Sequence, residues 1–551
     1  MLKKIKSLSG KIIPYNQELH YLSKLNQIGQ QINLYPIVES SAQNQKVLFG
    51  HSFSIFAPCF VHDRILAYAL RLRGIQILPV YCDQVQSTEC NVYGGVWGGQ
   101  NFKENCNNCL NCSQELWQDN HFTPLKLSSY LRDDDHRNIN HQVSQLNQET
   151  WVDFTEDNLP FGLWAKDILV NNFVVGDYRL IPNQYYLGVN HIKNLLLLKV
   201  AYSRILEIWQ PDKVIANDSY YGMWAILEKL SKKYQIPFYS HWLGGKNDAW
   251  CYAYNDAAMN LDFSKPWAAF SSLSLTEQQI TKVKNWLDGR SQGKEMILDT
   301  SSLSKFKSDE FDITMINFDK PTALLASNVI WDLAALNKQV VFDDMIDWIV
   351  ETINWFKEHP QFQLIIKPHP AELHPSIPAT EERVETALKQ RAIELSSNII
   401  LLSPKVKLTV YDLFPLIKTC LVHTTTVGIE VAAFGLPVIT TGKSPYRGFG
   451  FTLDPVTPQE YFKNIEMILS SQSLPSFDNQ LDLAYKFILF YHYHYYTKIN
   501  IMDYKWGEPP TLKIQSLADL LPGKNKYLDY IIDSIIQGLP IISEDRWMPE
   551  N

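Results

Sequence analysis

Two short stretches of the 551-residue chain put hydroxyls, a histidine and a lysine where a fold could use them. In TCLVHTTTVGIEVAAFGLPVITTG (419–442) three threonines and a glycine separate an apolar run from a helical pattern. If TCLVH is a strand and Val427 opens a helix, Thr424, Thr425 and Thr426 fall at the strand's carboxyl end. Helix amides without partners lie there, and the helix dipole is positive. Hydroxyls and free N–H groups in that place would cradle an anion, and Gly428 would let a ligand approach the backbone. The same residues also read as an ordinary N-cap, for which one threonine suffices. In QLIIKPHPAELHP (363–375) Pro368 and Pro370 cannot continue a central ladder, so the strand ends at Lys367. His369 is then held in a stiff turn beside Lys367, with Glu372 one turn later. A fixed His next to a Lys suits a phosphate or a leaving oxygen. A His that merely caps the strand end is the plainer alternative.

A third group is made of thiols. Five of the eight cysteines fall in YCDQVQSTEC (81–90) and CNNCLNC (106–112). Cys106 and Cys109 have metal-knuckle spacing, and a four-thiolate zinc site needs two such pairs on loops. Cys82 and Cys90 supply the second pair, with Cys112 as a substitute ligand. Four thiolates leave no open position, so the expected zinc is structural. An iron–sulfur cluster would use the same ligands, and unligated thiols are the plain alternative. Glycines 94, 95, 98 and 99 lie between the pairs, as in a loop insertion that needs a staple. Cys59, Cys251 and Cys420 read as buried small side chains.

These residues must be positioned by elements whose pattern is regular. KVLFG (46–50), IQILPV (75–80), KVIAN (213–217) and IPFYSHW (236–242) are short apolar runs separated by helical periodicities near 60–73, 186–209 and 220–234. TALLA (322–326), QLIIK (363–367), NIILL (398–402), TCLVH (419–423) and PVIT (437–440) repeat the alternation, with helices near 343–358, 381–396, 427–435 and 457–470. Strands alternating with helices imply a mostly parallel sheet covered on both faces. The length exceeds what one hydrophobic core serves. The expected fold is α/β, with two Rossmann-like domains and a cleft between them. Residues 1–285 form the first domain with the cysteine-rich insertion, and the polar stretch 286–312 is the linker. Residues 313–475 form the second domain, and 476–551 are helices packing across both. Ligands in such sheets bind beyond the carboxyl ends of the strands. The aromatic run ILFYHYHYYTKI (488–499) is either a sugar-stacking face or a helix packing its rings inward.

Net charge is −8, with 20% charged and 46% hydrophobic residues. That balance argues against a nucleic-acid partner, which calls for a basic face. No run of eighteen apolar residues is present, and the basic N-terminus lacks the apolar core of a signal peptide. The expected compartment is the cytoplasm.

The KPHP turn, HTTTVGIEVAAFGLPVITTG and SPYRGFGFTLDP (444–455) together resemble the capsule polysaccharide biosynthesis family of GT-B glycosyltransferases, which includes the Kdo transferases of capsule assembly. SNVIWD (327–332), FDDMIDWIVETINWF (342–356) and the Cys-Asp-x6-Cys run are similar to surface-carbohydrate relatives of that family. The likeness covers about 320–455. It implies a nucleotide-sugar donor and an oligosaccharide or lipid-linked acceptor, with peripheral contact to the inner-membrane assembly machinery. It also implies that His369 and Pro370 contact the donor phosphate, and that Thr424 and Thr425 hold phosphate. Glu430 would meet sugar or ribose hydroxyls, and Tyr446 and Arg447 would line the cleft. The resemblance fixes no base. Asp218 at the end of KVIAN is the first candidate, with His51 and His241 next, and Asp218 could equally be an N-cap. Three other readings remain. A polyol-phosphate transferase would usually carry Asp-Tyr where this chain has Val422-His423. A nucleotide-sugar 2-epimerase shares the fold, and so would a non-catalytic assembly or export partner.

Overall fold

The structure, a computed structural model, describes residues 15–35, 44–52, 57–86, 90, 94–98, 102–117, 121–294, 309–332, 336–374, 377–471, 479–505 and 508–550. The chain divides into two compact units. Unit 1 comprises Met1–Phe173, Asp177–Leu261 and Tyr493–Asn551, and unit 2 comprises Val174–Gly176 and Asp262–His492. The segment expected as a linker begins inside a helix, Glu277–Ser291, that belongs to unit 2. Residues 295–308 lie outside the described residues.

In unit 1, β1 (Lys46–Phe49), β2 (Gln76–Tyr81), β3 (Leu125–Lys126), β4 (Lys213–Asn217), β5 (Phe238–Leu243) and β6 (Ala249–Tyr254) form a sheet in the order β6-β5-β4-β1-β2-β3, with Thr497–Lys498 on the outer edge of β6. Strands β1 to β5 pair in parallel, and β6 closes an antiparallel hairpin on β5. The central runs are buried along nearly their whole length, as a sheet covered on both faces requires. The chain moves outward from β1 to β2 on one side and places β4 on the other. The boundary between β1 and β4 is therefore the topological switch point, where open sheets of this type bind ligands. One covering helix, Ala57–Arg71, is buried from Pro58 through Leu70 and carries His62, Asp63 and Arg64 into the interior.

In unit 2, β7 (Thr322–Ala326), β8 (Gln363–Lys367), β9 (Ile399–Leu401), β10 (Thr419–Val422) and β11 (Val438–Thr440) form an all-parallel sheet in the order β11-β10-β7-β8-β9. Helix Met345–Glu358 lays Trp348, Ile349, Ile353 and Phe356 on Leu325, Leu364, Ile366 and Leu421. Trp348 donates its indole N–H to the Tyr461 hydroxyl at 2.9 Å, so the polar edge of a buried ring is satisfied. Here the switch point lies between β7 and β10. Ala326 is in register with both Lys367 and Val422, so three central strands end level. Among the described residues no helix is long and apolar enough to cross a membrane.

Helix Gln184–Trp209 carries Tyr202, which holds His51, and its packing tests the unit 1 core. Alanine in place of a mid-helix glycine normally gains about 1 kcal/mol. At Gly188 a Cβ would lie 2.3 Å from the Trp151 ring. Trp151 is fully buried, and its indole N–H is tied to Gln184 at 3.0 Å. Overpacking costs about 1–3 kcal/mol and outweighs the propensity gain. Gly188→Ala is expected to lower the melting temperature, and a rise would show that the ring yields.

Candidate functional site

The level strand ends of unit 2 are stitched together by side chains and backbone. Ser327 N–H, just past β7, donates to Lys367 O at 3.2 Å, and Thr424 N–H, just past β10, donates to Asn328 Oδ1 at 3.0 Å. The hydroxyls of Ser327 and Thr424 are buried, and neither has a hydrogen-bond partner among the described residues. An unmet buried hydroxyl costs about 1–3 kcal/mol, so two of them side by side at a switch point mark a place suited to a ligand.

Two nitrogen-bearing side chains, one charged and one neutral, follow from the level end of β8. Lys367 is buried and in ion-pair contact with no carboxylate among the described residues. Burial brings its ammonium down to about 8, with Asp412 opposing. His369 is half-buried, and the Ala371 N–H donates to its Nδ1 at 3.1 Å. An amide can only donate, so Nδ1 carries the lone pair and Nε2 carries the proton. Burial, then Lys367 and Arg290, hold this ring down to about 4. At neutral pH His369 is thus an uncharged donor aimed through Nε2. The prolines set this geometry, with Pro370 opening the turn Pro370–Leu373 that His369 caps.

Arg290 was not singled out by the sequence reading, because it lies in the stretch taken as linker. It closes helix Glu277–Ser291 and meets Glu430 Oε1 through Nε at 3.2 Å and a terminal nitrogen at 3.0 Å. The Tyr411 hydroxyl donates to Glu430 Oε2. Both oxygens of the buried Glu430 are engaged, so its direct effect in this state is to hold Arg290 and Tyr411.

Other expected residues hold the threonine turn itself. Tyr446 is fully buried and donates its hydroxyl to Thr425 O at 2.6 Å. Gly428 packs on that phenol, where a Cβ would meet the hydroxyl at 2.2 Å. The glycine therefore makes room for Tyr446, a reason distinct from the ligand approach expected of it. Thr425 Oγ1 accepts from the Val427 N–H at 3.5 Å. Thr426 caps helix Val427–Ala433 by position, without a side-chain hydrogen bond. Arg447 spends its guanidinium on Thr440 O at 2.9 Å, Thr440 Oγ1 at 2.7 Å, Asp454 O at 3.0 Å and Pro455 O at 2.5 Å. Glu372 is wholly buried, and burial raises its carboxyl to about 7. Its Oε1 accepts from the Val384 N–H at 3.2 Å at the start of helix Val384–Gln390.

In unit 1 the polar groups gather at the β1–β4 switch point. Asp218 is wholly buried, and its Oδ1 accepts from the Tyr220 and Met259 N–H groups at 3.3 Å each. Its Oδ2, both side-chain atoms of Asn217 and the Ser219 hydroxyl have no partner among the described residues. Burial lifts the Asp218 carboxyl to about 7. The following helix, Gly222–Lys233, takes Tyr221 as its N-cap, so Asp218 is not that cap. His51 is enclosed by Tyr202 and Trp224, meets the Tyr202 hydroxyl through Nδ1 at 2.5 Å, and leaves Nε2 unpartnered. Burial drives it down to about 3. His241 lies deeper and points to Asp63, 2.6 Å away. Asn217 and Ser219 give no sequence signal beyond adjacency to strand ends, while Ser327 and Asn328 open the SNVIWD segment, which carries a resemblance but assigns them no role.

Three of the clustered thiols sit on a helix rather than on a loop. Cys106, Cys109 and Cys112 lie on helix Phe102–Trp117 at successive turns. Cys82 follows β2, and burial pushes its thiol up to about 12. Cys90 lies beyond residues 87–89, which are outside the described residues. Among the described residues no three thiols converge to ligand spacing, and none of the eight cysteines forms a disulfide. The zinc or iron–sulfur centre expected on these thiols is not shown; Cys106 and Cys109 share one face of the helix, and both bear on the Cys82 thiol.

No family model and no curated protein matches the chain. Among solved structures it is similar to the KpsC beta-Kdo 2,4 transferase of Thermosulfurimonas dismutans, at 13% identity over 59% of this chain and 87% of that one, with a TM-score of 0.32. It is also similar to the calicheamicin glycosyltransferase CalG4, at 12% identity over 81% and 95%, with a TM-score of 0.25. A third is the UDP-GlcNAc 2-epimerase of Neisseria meningitidis bound to UDP-GlcNAc, at 13% identity over 80% and 94%, with a TM-score of 0.23.

The Tyr446–Gly428 contact makes a test of the turn. Gly428→Ala is expected to destabilise by about 1–3 kcal/mol through overpacking. Adding Tyr446→Phe, which removes the clashing oxygen, should recover part of that loss in thermal melts. No recovery would place the strain elsewhere.

Proposed function

We propose that the chain is a glycosyltransferase that moves a sugar from a nucleotide-sugar donor to a growing capsule or other surface polysaccharide. One observation carries the reading. Lys367, the Nε2–H of neutral His369 and the unmet hydroxyls of Ser327 and Thr424 gather at the ends of β7, β8 and β10. This set suits a phosphate, with charge from Lys367 and directed hydrogen bonds from the rest. Arg290, held by Glu430, adds a second positive charge beside His369.

In the proposed reaction the bond from the anomeric carbon to the donor phosphate breaks, and its electron pair leaves on the phosphate. The acceptor oxygen forms the new bond, and its proton passes to a base. Asp218 is the proposed base, because a carboxyl near 7 is matched to proton transfer at neutral pH. The phosphate donors stabilise charge that grows as the bond breaks, and each good donor is worth roughly 10²–10³ in rate.

Nucleotide binding is tested by thermal shift with CMP, CDP, UDP, GDP and dTDP. A ligand at a hundredfold its Kd stabilises by about 2.7 kcal/mol. One nucleotide should stand out in the wild type and lose its effect in His369→Ala. Asp218→Asn should keep that shift and lose isotopic transfer to acceptor. If no nucleotide shifts the melt, the donor site is not where the proposal puts it.

The pH dependence has a definite sign. Asp412 bears on Lys367, and His369 is flanked by Lys367, Arg290 and His374. His369 stays neutral above about 4 and contributes its N–H throughout. Lys367 loses its charge as pH rises through about 8. Nucleotide affinity is therefore expected to be full below that pH and to fall above it, by up to about tenfold per unit. Lys367→Arg, charged over the whole range, should bind with a flat profile. A flat wild-type profile would remove Lys367 from the phosphate site.

A further inference from the structure

Helix Ala57–Arg71 brings His62 and Asp63 to the same spot as His241 of β5, well inside unit 1. All three are at most 1% exposed. One ligand atom from each can be chosen so that the three lie within 4.8 Å of one another. His62 Nδ1 is 3.5 Å from Asp63 Oδ1, and His241 Nε2 is 2.6 Å from the same oxygen. Among the described residues no lysine or arginine pairs with Asp63, whose other oxygen accepts from the Ser52 hydroxyl. Two ring nitrogens, His62 Nδ1 and His241 Nδ1, have no hydrogen-bond partner among the described residues.

From this convergence we propose that His62, Asp63 and His241 form a structural site for one divalent cation of the zinc class. Imidazole and carboxylate ligands suit zinc. Bonds of about 2.0–2.1 Å in a tetrahedron set ligand atoms about 3.3 Å apart. The His62–Asp63 separation of 3.5 Å already matches, and the His241–Asp63 contact opens slightly when a cation replaces the shared proton. The surroundings are those of a supported site. The other nitrogen of His62, Nε2, lies 2.6 Å from the Tyr252 hydroxyl, which can accept a hydrogen bond from its N–H and so leave the Nδ1 lone pair for the cation. Such outer partners fix the tautomer of a ligating histidine. Trp250 stacks on the His62 ring at 4.1 Å and 22°. The cation would join the helix to β5, with its fourth position left to a small ligand such as water, and the burial of all three side chains keeps a sugar or nucleotide away from it. This site is independent of the thiols and of the proposed transferase reaction.

The test is metal analysis of full-length protein purified without chelator. Near one zinc per chain is expected, retained in Cys106→Ser/Cys109→Ser and lost in His62→Gln and in His241→Gln. Cobalt exchanged into the wild type needs no variant to fold. It should show the visible bands of a four-coordinate N/O site without the near-ultraviolet charge transfer of thiolate ligands. Zinc that leaves with the cysteines, thiolate bands in the cobalt protein, or wild type that takes up neither zinc nor cobalt on dialysis would each overturn the proposal.

Discussion

A lysine ammonium buried at the end of β8, with no carboxylate in ion-pair contact among the described residues, is the constraint around which unit 2 is built. Burying such a charge is costly unless something opposite comes to meet it. The sheet has no choice about where to put it. Parallel strands that end level must turn into loops at their carboxyl ends, and Pro368 forces the turn at once. The backbone groups freed there are bonded to one another, from Ser327 to Lys367 and from Thr424 to Asn328. The hydroxyls of the same residues are left over. The rigid parts are satisfied and the parts aimed outward from the strand ends are not, which is how a fold pre-organises a site for an anion.

Unit 1 repeats the arrangement with the opposite charge. Asp218 ends β4 at the switch point, with one oxygen fixed by two amides and the other unmet. Two amides would normally favour the carboxylate, but full burial outweighs them and the carboxyl rises to about 7. The neighbouring Asn217 and Ser219 contribute further unpaired polar atoms. In both units the polar groups lie where the chain reverses its direction of strand addition.

Much of the fold was legible because buried parallel strands are short apolar runs with few alternatives. KVIAN, TALLA and QLIIK are strands from first residue to last. The antiparallel β6, AWCYAY, escapes such a reading because both faces are apolar, Trp250, Tyr252 and Tyr254 on one and Ala249, Cys251 and Ala253 on the other, so no polar alternation marks it. The stiff turn at His369 could be read from its two prolines, since proline acts locally. Arg290 could not, because helix Glu277–Ser291 buries only Val283, Trp286 and Leu287 and otherwise looks like a polar linker. The role of Gly428 depended on Tyr446, and no local pattern links residues that meet only in the folded chain. The x2 cysteine spacing is shared by a knuckle on a loop and by one turn of helix, and the spacing alone does not show that Cys106, Cys109 and Cys112 lie on helix Phe102–Trp117. His62 and Asp63 were hidden inside an amphipathic run whose apolar residues satisfied the helical period without them.

The pairing of a charged lysine with an uncharged histidine has a physical logic. Two cations of equal strength beside each other would repel, and burial would neutralise one. The structure settles which one yields. The histidine, with its lower intrinsic affinity for the proton, is held near 4, while the lysine stays near 8. Its Nδ1 is committed to the Ala371 amide, so a second proton has no acceptor lone pair to enter without breaking that bond. The result is a division of labour. Lys367 supplies charge, which attracts an anion but does not orient it. His369 supplies a fixed N–H direction, which orients an oxygen but adds no charge to repel its neighbour. The proposed phosphate would need both, since either residue alone supplies only half of what holding it in one pose at neutral pH requires.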